Sequence, residues 1–238
     1  MLNNLRTHIS NYIFELQHKE AIKYKKSYSQ CGEDLIVRFI FDRIGIAHPS
    51  YLDIGAYHPY IISNTALFYL NGSHGINVEP NPALFKLFIK ERQNDINLNI
   101  GILNKKDVLN YFCFNEPALN TFSEIEKKNY INTGKIITNV IKIETISIQE
   151  LLYNYCDNKF PDFLSLDAEG YDEAIIKSIV FSEKFPIVIC VETISFSETG
   201  NGKKNNQIIE YLLQNNYLLY ADTNINSIFV RKENWIKQ

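Results

Sequence analysis

The chain has 238 residues, 45% of them hydrophobic and 21% charged, proportions of a folded domain that exclude a long disordered region or a collagen-like repeat. A formal net charge of -3 leaves no electrostatic footprint for a polyanion, so nucleic acid is not the expected partner. Cys31, Cys113, Cys156 and Cys190 are far apart and form no CxxC pair, which argues against a zinc knuckle or a disulfide framework and for free thiols in a reducing compartment.

Leu2, Leu5, Ile9, Ile13 and Leu16 recur at helical spacing and predict an amphipathic helix over about 2–24. Polar residues interrupt every apolar run there, so neither a signal peptide nor membrane insertion is expected and the cytoplasm is the predicted location. The apolar stripe of that helix needs a partner, and a homodimer contact is the preferred one. A second helix is predicted over 33–44, EDLIVRFIFDRI. Residues 1–45 thus read as an N-terminal helical segment and 46–238 as the main domain of one compact body.

Short apolar runs then alternate with helical stretches. YLDIG (51–55), GINVE (75–79), INLNIGI (96–102), DFLSLD (162–167), PIVICVE (186–192), NYLLYA (216–221) and NSIFVRK (226–232) read as strands. Alternation of this kind predicts a Rossmann-like α/β fold with a seven-stranded, mostly parallel sheet, because parallel neighbours need a crossover. Only DTNI joins the last two strands, too short for a helix, so they should close the sheet as an antiparallel hairpin. Residues 103–145 break the alternation and read as extra strands and loop over the mouth of the site.

Ligands of open α/β sheets bind beyond the carboxyl ends of the strands. At the first such end stand Asp53, Gly55 and Ala56, where the glycine allows a tight turn and the aspartate accepts hydrogen bonds from an amine or hydroxyl. Tyr57 and Pro59 occupy the places of the glycines that cradle a dinucleotide pyrophosphate, which argues against that ligand. The second strand ends in Glu79-Pro80, 26 positions after Asp53, close to the ~20-residue spacing of a carboxylate that binds a ribose diol. The fourth ends in Asp167-Ala168-Glu169-Gly170. Asp167 at the strand tip reads as functional, and Glu169 with Asp172 at least partly as acids that complement the start of the next helix.

YSQCGEDLIV, YLDIGAYHP, SNTALFYLNG, GINVEPNP and FLSLDAEGYDEAII, in this order over about residues 28–195, together resemble the FkbM family of methyltransferases. The resemblance implies a class I methyltransferase fold, S-adenosyl-L-methionine (SAM) as donor and a hydroxyl acceptor, often on a sugar destined for a surface polysaccharide, glycolipid or secondary metabolite; a sugar or nucleotide-linked sugar of a surface polysaccharide is the expected partner. It implies that Asp53, Gly55, Ala56, Ser63, Asn64 and Thr65 meet the cofactor, that Glu79-Pro80 take its ribose, that Asp167 lies beside the methyl group and that Gln30 closes over it. Tyr57 stands where the family usually has Asn.

A sugar hydroxyl needs help to lose its proton. His58, Asp167 and Glu192 are the candidate bases, and His58 leads among them on intrinsic pKa. Asp167 and Glu192 also suit a divalent cation, but two carboxylates alone do not make a metal site, and the metal-free reading is preferred. The alternatives are a nucleotide-dependent oxidoreductase and a non-catalytic binding module on the same fold.

Overall fold

The computed structural model describes residues 26–181, 185–195 and 202–235; the helix expected over 2–24 and its dimer contact lie outside them. Helix α1 (Glu33–Ile44) falls where the periodicity placed it and ends at Gly45, whose φ of 81° is a left-handed conformation that glycine adopts without a Cβ clash. Its Val37, Ile40 and Phe41 are fully buried against Tyr51, Phe163 and Val188, so α1 completes the core of the domain.

Ten strands follow among the described residues: β1 (Tyr51–Ile54), β2 (Gly75–Val78), β3 (Ile96–Leu98), β4 (Gly101–Leu103), β5 (Asp107–Phe114), β6 (Ile137–Ser147), β7 (Phe163–Leu166), β8 (Val188–Glu192), β9 (Tyr217–Asp222) and β10 (Asn226–Arg231). Seven of them form one sheet in the order β3-β2-β1-β7-β8-β10-β9. The strands from β3 to β8 are parallel. β10 runs antiparallel between β8 and β9, as the short last connection requires. Between β1 and β2 lies α2 (Ala66–Leu70), after β2 α3 (Pro82–Glu91), within the 103–145 segment α4 (Glu124–Asn132), and then α5 (Ile148–Tyr155), α6 (Asp172–Ser178) and α7 (Asn206–Gln214).

Period-two alternation sends successive side chains to opposite faces. Leu52, Ile54, Leu164, Leu166, Ile189 and Val191 pack with Ile148, Leu151, Ile175, Ile176, Ile208 and Leu212 from α5, α6 and α7. Tyr51, Phe163, Val188 and Cys190 face α1 and Phe68 of α2 on the other side. Both faces are covered, which is why the central strands are mostly apolar, broken only by Asp53, Asn77 and Ser165 near their carboxyl ends.

One expected strand is two. INLNIGI splits into β3 and β4 around Asn99, whose side-chain amide donates to the carbonyls of Glu79 and Pro80 at 2.8 Å each. The chain leaves the main sheet there. β4 instead joins a second, three-stranded sheet in the order β4-β6-β5, so the expected extra strands are present and begin two residues earlier, at Gly101.

Candidate active site

Strand register explains why distant residues meet. Ile54 is level with Val78 on one side and Leu166 on the other, and Leu166 is level with Val191. The next residue of each parallel strand is therefore Gly55, Glu79, Asp167 or Glu192, a row along one rim of the sheet. The chain passes from β1 to β2 and β3 on one side and later returns to β7 on the other, so this rim is also the reversal point at which α/β sheets open a crevice. A cavity of about 470 Å³ opens there, lined by Gln30, Asp53, Gly55, Ala56, Asn64, Glu79, Pro80, Asp167 and Glu192 among others. Its volume is that of a small-molecule site.

Gly55 is needed for packing as well as for turning. Its φ is 75°, and a Cβ built there would lie 1.7 Å from the carbonyl oxygen of Asp167. The glycine lets the ends of β1 and β7 approach, with the Asp167 amide donating to the Ile54 carbonyl at 3.0 Å. Gly55→Ala should destabilise the fold by about 3 kcal/mol or more, since the overlap is with backbone and the φ is left-handed. Denaturant unfolding measures this; a variant within about 1 kcal/mol of wild type would show that the strand ends can separate.

The two strand-end acids nearest Gly55 are held differently. Asp53 is buried and accepts the Thr65 hydroxyl at 2.7 Å and the hydroxyl of Ser165, its level partner on β7. Burial is the main reason its pKa is raised. Glu79 accepts the Tyr57 amide at 2.8 Å through Oε2 and the Asn81 amide at 2.7 Å through Oε1. Each oxygen keeps a further lone pair, so the carboxylate is oriented by the backbone and can still accept from a ligand. Burial pushes its pKa up to about 8 against those two amides, which act to lower it. The Tyr57 amide reaches Glu79 because Tyr57 has a φ of 55°, a conformation Asn adopts more readily than an aromatic residue.

Of the SNT residues only Asn64 lines the cavity; its amide donates to Ser165 Oγ at 3.2 Å. Ser63 and Thr65 are turned inward, which corrects the expectation that both meet the cofactor. Ser63 Oγ accepts from the Ala66 amide at 3.1 Å and Thr65 fixes Asp53. Behind them the fully buried Arg92 donates to the Pro59 carbonyl at 2.6 Å and to Ser63 Oγ at 3.3 Å, pinning the loop that carries Tyr57 and Asn64.

His58 is not brought to the cavity, and its place as the preferred base is withdrawn. Its Nδ1 accepts the backbone amides of Tyr60 and Ile61 at 3.1 and 3.2 Å, which ties the ring into its own turn. Glu169 is corrected in the opposite direction. Asp172 also lines the cavity, and its carboxylate ties down the loop ahead of the helix, accepting the amides of Ala168 at 2.8 Å and Gly170 at 3.4 Å. Glu169, at φ 45°, lines the cavity with Asp167 and Glu192.

The 103–145 segment supplies a wall that the sequence did not resolve residue by residue. Tyr111, Asn120, Thr121, Glu126 and Tyr130 line the cavity. Thr121 Oγ1 donates to the Glu169 carbonyl at 2.7 Å and the Tyr130 hydroxyl to the Glu169 carboxylate at 2.5 Å. Burial is the main cause that raises the pKa of Asp167 to about 7 and those of Glu169 and Glu192 well above the carboxylate range, and neighbouring acids add to it. Lys203 is the one basic residue lining the cavity among the described residues. The arrangement offers an oriented carboxylate at one end, a group of acids of high proton affinity at the other, and a polar wall across both.

Residues 53–219, more than half of the chain, match the family model described as the Methyltransferase FkbM domain. Among solved structures, the chain is similar to the methyltransferase FkbM from Methylobacillus flagellatus KT, with 10% identity and a TM-score of 0.44. That match covers 77% of this chain and 44% of the other, so this chain spans less than half of that protein's length. A protein described provisionally as a caffeoyl-CoA O-methyltransferase, from Staphylococcus aureus, is similar at 11% identity and a TM-score of 0.37 over 97% of each chain. No curated protein matches the chain. The family match spans the strand ends of β1, β2, β7 and β8 and every element between them, and by it the chain belongs to the FkbM family of methyltransferases.

Proposed function

We propose that this methyltransferase takes its methyl group from SAM and places it on a hydroxyl of a small sugar or sugar-containing precursor in the cytoplasm, within the assembly of a surface polysaccharide. The observation that carries the donor assignment is Glu79. Its carboxylate is aimed by two backbone amides at the end of β2, one strand from Gly55, the position from which an acid meets a ribose diol. Asp53 is fixed by two hydroxyls and the Asn64 amide reaches Ser165 of β7 and Cys190 of β8, polar groups suited to an amino-acid moiety. No glycine-rich loop prepares the site for phosphate, and SAM has none. The donor supplies a methyl carbon on a positively charged sulfur, open to in-line displacement by an acceptor oxygen.

The residues of the chain then have three tasks. Glu79, Asp53 and Asn64 hold the donor, and Thr121, Tyr130 and the rest of the added wall exclude water from the mouth. The acids at the ends of β7 and β8 receive the hydroxyl proton as the new O–C bond forms and the C–S bond breaks, its electron pair passing to sulfur. Their raised pKa values suit proton acceptance near neutral pH. The sugar acceptor is supported by the family resemblance and by this hydroxyl- and carboxylate-rich wall.

Melting in the presence of saturating SAM, its demethylated product or NAD tests the donor. Ligand at about 100 times its Kd should raise Tm by on the order of 5–10 °C for the first two and leave it unchanged for NAD. A shift with NAD alone would favour the oxidoreductase alternative. Incubation with SAM and a panel of free and nucleotide-linked sugars, read by mass spectrometry for a product heavier by one CH2, tests the acceptor.

A further inference from the structure

At the β7–β8 end of the rim, away from Glu79, carboxylate oxygens of Asp167, Glu169 and Glu192 lie within 4.8 Å of one another. Oxygen ligands about one ion at ~2.0–2.6 Å stand at most about 5 Å apart, so the three already have the spacing of a coordination shell. Each of the three carboxylates keeps unused acceptor capacity. Asp167 Oδ1 is shut off from solvent and meets no donor, an unsatisfied acceptor of the kind that a bound ion accounts for. Glu192 receives no hydrogen bond from the described residues, and the charges acting on it are those of other acids, Asp167 first. Asp167 also accepts the backbone amide of Glu169, and Glu169 accepts the Tyr130 hydroxyl, a bond that orients its carboxylate as an outer-shell donor orients a metal ligand.

We propose that Asp167, Glu169 and Glu192 hold one hard divalent cation of the Mg²⁺ or Mn²⁺ class at the acceptor end of the cavity. Three carboxylates and no histidine or thiol are a donor set for a hard ion. They leave coordination positions open for water and for a substrate hydroxyl. The third ligand, Glu169, is what two strand-end acids alone lacked. The site's role rests on the methyl-transfer reading: a hydroxyl on the cation is acidified and fixed in place. With the acids engaged as ligands the hydroxyl proton goes to water instead of to them, and the oxygen forms the bond to the methyl carbon while the C–S bond breaks toward sulfur. Asp167 then acts through the ion.

Titration of the purified, metal-free protein with Mn²⁺, following the free ion by electron paramagnetic resonance and without SAM or acceptor, tests the site directly. One ion per chain is expected, displaced by excess Mg²⁺, with affinity reduced by about 100-fold or more in Asp167→Asn and in Glu192→Gln. The metal-free Glu192→Gln protein should melt no lower than metal-free wild type, because a like charge has been removed, and it should lose the rise in Tm that Mn²⁺ gives wild type. Absence of binding to wild type at millimolar Mn²⁺, or undiminished binding by both variants, overturns the proposal. Calorimetry with the demethylated product on the same metal-free sample separates the two readings. Product binding without Mn²⁺ binding removes the cation alone, and Mn²⁺ binding without product binding removes the donor assignment alone.

Discussion

Asp167→Asn is expected to lower kcat by about 100- to 10,000-fold, the range for loss of a group that manages a proton in the transition state, while affinity for the demethylated product changes by less than about tenfold. The asymmetry follows from position. Asp167 sits one residue beyond the level pairs Ile54–Leu166 and Leu166–Val191, between the donor-holding end of the rim and Glu192. Its backbone closes the β1–β7 junction through the Ile54 carbonyl and the space above Gly55. Those are main-chain contacts and survive the substitution. What changes is a carboxylate of raised pKa, about 7, with an unpartnered oxygen. Steady-state kinetics and calorimetry read the two quantities separately, and kcat should fall together with kcat/KM. A kcat near that of wild type would remove Asp167 from the chemistry.

The parts of this site legible in the sequence are those that obey strand periodicity. Asp53, Glu79, Asp167 and Glu192 each follow a short apolar run, and four runs in parallel register bring their ends to one rim whatever lies between. The seven-stranded sheet and its final hairpin follow from the same runs and from the length of DTNI. Local hydrogen bonding was not legible. A histidine after a strand end and a histidine in a catalytic position look alike in sequence; two backbone amides on Nδ1 decide between them. SNT reads as one motif, yet only its middle residue faces the cavity, because Ser63 and Thr65 are engaged by the Ala66 amide and by Asp53.

Glu169 and Asp172 differ in the same way. Both are acids at a helix start, where charge complements the helix dipole. Glu169, at a left-handed φ, is held by the Tyr130 hydroxyl, whereas Asp172 takes the amides of Ala168 and Gly170 in the loop ahead of the helix. The partner of Glu169, Tyr130, is 39 residues distant on α4, a helix whose sequence EIEKKNYIN has no apolar face to announce its packing. INLNIGI failed as a single strand for a similarly local reason, the Asn99 side chain that ends pairing beside Glu79.

Binding of the donor or its demethylated product should weaken by about tenfold for each unit the pH falls below about 8, down to about pH 6, and be flat above it. Ribose hydroxyls donate, so they need the Glu79 carboxylate ionised. Burial raises the pKa of that group in the free protein from the ordinary 4.5 to about 8, and below that value binding must expel a proton. The sign for folding is opposite. An unfolded Glu79 ionises through its ordinary pKa while the folded group keeps its proton until about 8. The contribution of Glu79 to stability is therefore complete below the ordinary value and lost as pH rises through the folded one. Glu79→Gln separates both effects from the other acids of the cavity. It should bind at least about tenfold more weakly than wild type at high pH, through loss of charge-assisted bonds worth ~1.5–3 kcal/mol each. Its affinity should not vary with pH over this window, and its melting temperature should fall less than that of wild type between acid and mildly alkaline buffer. Calorimetry and thermal melts across the pH range measure these, and a wild-type affinity that stays constant from about pH 6 to 8 would mean that Glu79 does not accept the ribose as a carboxylate.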